Sequence, residues 1–295
     1  MTDLKLADLK LLPGSDYARY AMPVDYQPSR NFEPRWSTSN PIPQLAQWFA
    51  RDVPRYRSLI DAIRQRAPAM AVGVDFEFGP ETLPRPAWAG TAYGMLDALF
   101  LMHFVQTLKP KTFFEIGSGI STAFAHHAAN SISHDMRMVS IDPEPRAAID
   151  AICDEVIRMP LESCDTSVFE SLEPNDIVFL DGSHRSFMNS DVTVFFIEVL
   201  PKLKPGVVVH IHDISLPYDY PPMFRDWYWN EQYVLAVYLM GHMKRINVLA
   251  PTAYISQDPA FDDLMTVPFV DFGPNNAADQ WRGGGAFWFT HTQLA

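Results

Sequence analysis

From residue 93 onward the apolar positions alternate between short unbroken runs and longer periodic segments. Residues 112–116, 138–142, 156–159, 176–181 and 207–213 are short runs rich in β-branched and aromatic side chains. Continuous apolar runs of that length suit strands buried on both faces. Residues 95–108 precede the first run as an apolar helix, and 121–130, 147–152 and 190–203 read as helices between later runs. Lys204-Pro205-Gly206 is a turn into the fifth strand, a helix follows around 229–240, and 246–249 and 286–290 are two later strand candidates. Strands alternating with helices predict βαβ units, right-handed crossovers and a largely parallel sheet. The expected fold class is α/β, doubly wound.

Residues 1–92 lack this regularity. Pro23, Pro28, Pro34, Pro41, Pro43, Pro80, Pro84 and Pro86 punctuate short segments. Only 43–66 reads as helix, broken near Pro54, with Leu45, Trp48, Phe49, Ile60 and Ile63 available for apolar stripes. The expected organisation is an extension, 1–92, packed on a domain spanning 93–295. The extension either covers the domain's cleft or is a structural apron.

Hydrophobic residues make up 47% and charged residues 20% of the 295, which excludes a disordered chain. No apolar run reaches the roughly 18 residues that cross a bilayer, and the opening residues mix charges into apolar positions without a signal-peptide core. Cys153 and Cys164 cannot build a disulfide framework or complete a zinc site alone, so they read as packing residues in a cytoplasmic protein. Lys plus Arg number 23 against 35 for Asp plus Glu, a net charge of −12. That balance argues against nucleic acid or an anionic membrane as partner. The expected partner is a small molecule, and a homo-oligomer stays open.

In a doubly wound sheet, ligands bind beyond the carboxyl ends of the strands, where strand order reverses. Those ends carry Glu115 with Gly117-Ser118-Gly119, then Asp142, then Asp181 to His184, then His210 to Asp213. The glycines permit a tight turn and close approach of a ligand, although a plain strand-to-helix turn would use them equally. No Gly-Lys-Ser/Thr follows, Thr122 stands where a dinucleotide fingerprint has its third glycine, and acidic Glu115 suits a cationic ligand better than a pyrophosphate. Asp142 can accept both ribose hydroxyls of a nucleoside or cap the helix after it. Together these residues favour a nucleoside with a cationic tail.

Glu115-Ile-Gly-Ser-Gly119, Ser140-Ile-Asp142, Phe179-Leu-Asp-Gly-Ser-His184 and Leu203-Lys-Pro-Gly206 resemble, in order and spacing, the class I S-adenosylmethionine-dependent methyltransferases. Within them the chain is most similar to the small-molecule O-methyltransferase branch that includes catechol and macrolide-sugar enzymes. The similarity covers residues 95–249. It implies a Rossmann-like seven-stranded sheet whose last strand is antiparallel, a role open to 286–290. It also implies Glu115 near the methionine amino group and Gly117, Ser118 and Gly119 along the cofactor. Ser121 stands in place of a third glycine, Asp142 would hold the ribose, and Glu162, in 161–163, would lie near adenine.

By the same resemblance, Asp181, His212 and Asp213 form a divalent-metal site, with histidine where the branch commonly has a carboxylate. That exchange shifts preference from Mg²⁺ toward Mn²⁺, Fe²⁺ or Zn²⁺, and His210, one step deeper on the same face, could orient it. The alternative is that Asp181 only touches the cofactor and His212 is a satisfied buried histidine. His184 falls where catechol-type enzymes place a catalytic lysine, and histidine can take a proton near neutral pH. Otherwise it is a solvent-facing residue at a helix start. Tyr218, Asp219 and Tyr220 could wall the acceptor pocket or merely belong to a proline-stiffened loop.

The expected activity is therefore methyl transfer from S-adenosylmethionine to a hydroxyl of a sugar, glycan precursor or other natural product, assisted by a metal. The competing expectations are a metal-free N- or O-methyltransferase using His184 and a non-catalytic nucleoside-binding protein. A metal hydrolase is disfavoured by the glycine turn with Asp142.

Overall fold

A computed structural model describes residues 33–77, 84–89, 92–145, 148–265 and 283–292. The chain divides into two units, Met1–Pro34 and Arg35–Ala295, and all the helices and strands described belong to the second. Pro23, Pro28 and Pro80, and Ala147 of the expected third helix, lie outside the described residues.

In chain order the elements are α1 (Pro43–Arg51), α2 (Val53–Met70), β1 (Asp75–Glu77), β2 (Ala87–Ala89), α3 (Met95–Leu108), β3 (Thr112–Ile116), α4 (Ile120–Ser131), β4 (Arg137–Ile141) and β5 (Glu155–Ile157). They continue with β6 (Ile177–Leu180), α5 (Asp191–Val194), β7 (Val208–Ile211), α6 (Pro222–Asp226), α7 (Glu231–His242), β8 (Ile246–Pro251), α8 (Thr252–Gln257), α9 (Asp262–Met265) and β9 (Phe287–His291).

A seven-stranded sheet runs β5-β4-β3-β6-β7-β9-β8. Its first five strands pair in parallel, and β9 pairs antiparallel with both β7 and β8. From β3 the order grows one way through β4 and β5 and the other way through β6 and β7, so the switch point lies between β3 and β6. All four residues of β6 and of β7 are buried, as their continuous apolar runs require. Helix α3 is apolar on every side and correspondingly enclosed, from Met95 to Gln106. Its buried Asp97 is satisfied by Thr252 Oγ1 at 2.6 Å and the Gly285 and Ala286 amides at 2.7 and 3.1 Å, which fixes the approach to β9. Gly283-Gly-Gly285 is thus a packed loop at that end: a Cβ on Gly284 would meet Thr252.

Two expected helices change form. Residues 147–152 give only a 3₁₀ turn, Asp150–Ile152, because Asp154 is already tied to Met138 through its amide (2.9 Å) and carboxylate (2.7 Å). Residues 190–203 become α5, a π turn at Phe195–Val199 and a 3₁₀ turn at Leu200–Lys202. Pro201 lacks the N–H that an α-helix would need there. The 43–66 helix breaks at Asp52, just before Pro54. The parallel pair β1–β2 was not expected. No described helix is long and apolar enough to cross a membrane.

Candidate active site

Beyond the carboxyl ends of β3, β4, β6 and β7 lies a cavity of about 1050 Å³. Its first wall is the turn from β3 into α4. Gly117 has φ +80°, and a Cβ there would stand 2.7 Å from the Asp181 carbonyl carbon and closer still to its oxygen. Only glycine lets β3 and β6 close at the switch point. Gly119 has no atom within 4 Å of where a Cβ would stand, so its backbone is open to a ligand in the cavity.

Asp142, at the end of β4, accepts from the Ser118 amide (2.7 Å) and the Glu144 amide (2.8 Å). The carboxylate is thereby aimed along the cavity with lone pairs to spare. Glu162 also lines the cavity, and its Oε2 is buried without a partner among the described residues. Glu115 is different. It is 1% exposed and does not line the cavity, because its carboxyl accepts from the Ser121 hydroxyl (2.5 Å) and the Thr122 hydroxyl at the start of α4. Burial pushes its pKa up to about 8 against the pull of those two donors. Glu115 therefore braces the turn from beneath, and the expected contact with a methionine amino group is not what its position offers. Ser121 does line the cavity, with its hydroxyl spent on Glu115.

The second cluster sits at the ends of β6 and β7. His184 Nε2 lies 3.4 Å from Asp181 Oδ1 and 3.4 Å from Asp213 Oδ2. One ligand atom from each of the three falls within 4.8 Å of the others. The expected trio of Asp181, His212 and Asp213 is corrected here: the imidazole that joins the carboxylates is His184. His212 Nε2 is 3.8 Å from Asp213 Oδ1, its Nδ1 has no partner among the described residues, and its ring packs 4.8 Å from Tyr93. It remains on the cavity wall but is 3% exposed. Burial opposes its charge, and Asp213, Asp181 and Asp97 outweigh burial to raise its pKa. His210 is fully buried, stacked 3.8 Å on Phe179, and its pKa is depressed by burial and by His212. Neither of its ring nitrogens has a hydrogen-bond partner among the described residues, so it does not orient the trio.

His184 is 5% exposed and far from solvent-facing. Both it (φ +59°) and Asp213 (φ +54°) adopt the left-handed conformation, which costs a non-glycine residue about 1–2 kcal/mol. The surroundings hold it there. Its carbonyl accepts from the Asn230 and Glu231 amides at 2.9 and 3.2 Å, its Nδ1 lies 2.9 Å from Glu231 Oε2, and Trp229 covers the ring at 4.1 Å. Burial disfavours its charge, yet hydrogen bonds to Asp181 and Glu231 raise its pKa to about 10. The connecting loop is fixed by Asp191, which accepts from the Ser183 amide (2.6 Å) and hydroxyl (2.5 Å), and a Cβ at 182 would push that carboxylate aside.

Tyr218, Asp219 and Tyr220 do not line the cavity. Gln232 pulls their loop onto α7, bonding the Ser215 amide, the Tyr218 carbonyl and the Tyr220 hydroxyl. Asp219 turns to the Trp36 amide and the Tyr233 hydroxyl. The wall is built instead by Phe187, Met188, Met223, Phe224, Trp227 and Trp229. Sequence reasoning missed this wall, and it also missed Glu231 and Asp191. An acid opening an apolar helix was the available signal for Glu231, but such acids ordinarily face solvent at helix N-termini.

Residues 114–214 match the family model of a methyltransferase domain. No curated protein matches the chain. Solved structures with a similar fold include an O-methyltransferase from Bacillus cereus in complex with S-adenosylhomocysteine, at 17% identity over 79% of this chain and 90% of that one, with a TM-score of 0.38. A second is the O-methyltransferase TomG from Streptomyces achromogenes, bound to S-adenosylmethionine, at 17% identity over 84% and 98%, TM-score 0.41. A third is a methyltransferase from Podospora anserina bound to S-adenosylhomocysteine, at 14% identity over 78% and 95%, TM-score 0.39. The matched segment runs from β3 to just past β7 and contains the glycine turn, Asp142 and the Asp181–His184–Asp213 cluster, so it is this third of the chain that is similar to a methyltransferase domain.

Proposed function

We propose that the enzyme methylates a hydroxyl of a small natural product, sugar or glycan precursor, and that Asp181, His184 and Asp213 manage the hydroxyl's proton with the help of a divalent ion. The observation that carries this reading is their convergence on the cavity that also holds the glycine turn and Asp142. The carboxylates of Asp181 and Asp213 fit a hard cation, and with His184 Nδ1 turned to Glu231 its Nε2 is left free for the proton. When bound, the cofactor supplies an activated methyl group and the ion a Lewis acid that lowers the hydroxyl's pKa.

The remaining work falls to this chain's own residues. The acceptor oxygen takes the methyl carbon as the carbon–sulfur bond breaks, so the oxygen must shed its proton and stay in line. Gly119 leaves room for close approach, and Asp142 and Glu162 offer oxygens to hydroxyl and amine donors. His184 Nε2 is the proton acceptor. Its high proton affinity comes from Asp181 and Glu231, and sharing Asp181 with a cation would bring it toward neutrality. Phe187, Met188, Met223 and Trp227 are exposed apolar side chains bordering this one cavity, with Met188 98% exposed. Such a rim supports an acceptor with an apolar face. Ala92, the last residue of the 1–92 extension, also lines the cavity, which supports a covering role for that end of the extension.

Calorimetry with S-adenosylhomocysteine, followed by mass detection of methylated products, tests the reading. Micromolar binding is expected, and no binding would end it. Excess EDTA should abolish turnover while sparing binding, whereas full activity in EDTA would favour the metal-free alternative in which His184 acts alone. His184→Ala should reduce turnover by roughly 10²–10⁴-fold. Binding without any product would favour the non-catalytic alternative.

A further inference from the structure

We propose that Glu231 is a positioning residue: its carboxylate keeps a proton on His184 Nδ1 and so presents Nε2, in one fixed orientation, to the gap between Asp181 and Asp213. This deepens the proposed function and rests on it for the use made of Nε2.

Glu231 opens α7, is 0% exposed and does not line the cavity. Its Oε2 lies 2.9 Å from His184 Nδ1, and its Oε1 has no partner among the described residues. A carboxylate buried with a single polar partner is costly, and an apolar residue would suit the surrounding helix better. The pairing is nonetheless built from two directions. The amides of Asn230 and Glu231 hold the His184 carbonyl while the Glu231 side chain holds its ring. The imidazole therefore cannot turn without breaking a bond to the same helix end, and Trp229 at 4.1 Å restrains it further.

An ionised carboxylate only accepts hydrogen bonds, so Nδ1 must donate. The nitrogen left for chemistry is Nε2, 3.4 Å from a carboxylate oxygen on either side. That assignment serves either use of the ring. Taking a proton from a hydroxyl and giving a lone pair to a cation both need Nε2 aimed at the cavity, and a carboxylate behind Nδ1 secures it in each case.

The test is the ring-nitrogen NMR spectrum of the uniformly ¹⁵N-labelled full chain, with and without S-adenosylhomocysteine, the His184 resonances being identified by their loss in His184→Asn. At a pH where the ring is neutral, the unmodified protein should show a protonated Nδ1 beside an unprotonated Nε2. Glu231→Gln, whose amide oxygen can still accept, should retain that signature. Glu231→Leu, similar in volume, should lose it to Nε2 or to a mixture of tautomers, with S-adenosylhomocysteine affinity unchanged. An unprotonated Nδ1 in the unmodified protein, or a Glu231→Leu spectrum identical to it, overturns the proposal. Failure of S-adenosylhomocysteine to bind would instead sink the functional reading, since the tautomer is read from the unliganded chain as well.

Discussion

Gly117 and Gly119 stand two residues apart in one turn, yet alanine should act on them through different physics. At Gly117 the backbone has φ +80°, and a Cβ would stand 2.7 Å from the carbonyl carbon of Asp181, a main-chain atom of the neighbouring strand end. Left-handed conformation costs a residue with a Cβ about 1–2 kcal/mol, and forcing overlap with a packed neighbour adds about 1–3 kcal/mol. The total of roughly 2–5 kcal/mol corresponds to a fall in Tm on the order of 10 °C for a chain of this size. Because β3 and β6 must part to relieve the overlap, cofactor binding should be lost with stability. At Gly119 nothing lies within 4 Å of the Cβ position. Gly119→Ala should therefore melt within about 2 °C of the unmodified protein while weakening S-adenosylhomocysteine, since its methyl group enters the cavity. Differential scanning fluorimetry and calorimetry on both variants give the comparison. Equal melting temperatures for Gly117→Ala and the unmodified chain would refute the steric argument. Unimpaired binding by Gly119→Ala would place the ligand elsewhere.

Other expectations are as direct. Asp142→Ala should weaken S-adenosylhomocysteine by about 1–3 kcal/mol, read by calorimetry, because ribose hydroxyls would lose their acceptor. For Glu115 the folded pKa of about 8 lies above its ordinary 4.5, so its contribution to stability is complete below the ordinary value and lost as pH rises through about 8. Urea unfolding should then show the unmodified protein losing ground to Glu115→Gln across that window, and a pH-independent difference would count against it. Asp191→Ala strips two bonds from Ser183 and should cost about 1–3 kcal/mol of stability by the same assay.

The sheet was largely legible because double-sided burial writes itself as unbroken apolar runs: residues 112–116 coincide with β3, and the expected strands at β4, β6 and β7 differ from the observed ones by one or two residues at an end. The strand-end carboxylates were legible for the same reason, since the fold class alone says where such ends point. Side-chain direction was not. His212 and His184 are equally good candidates by residue type, and only the left-handed backbone at 184, held by Asn230 and Glu231 from far along the chain, turns the second toward the carboxylates. Glu115 misled because a strand-end acid can face the ligand or the helix beneath it, and Ser121 and Thr122 decide for the helix. Tyr218 to Tyr220 misled because Gln232, a helix residue of no obvious interest, reels their loop away.

Strand β9 enters the sheet between β7 and β8, although β8 precedes it in the chain. A growing chain on the ribosome can therefore assemble β3 to β7, but β8 has no place beside β7 until residues 287–291 arrive to separate them. Until then the main-chain groups along β7 face an open edge beside the newly made Asp181–His184–Asp213 cluster. An edge of that kind invites pairing with a neighbouring nascent chain. Closure of this sheet thus waits on residues 287–291, the last of its strands in chain order.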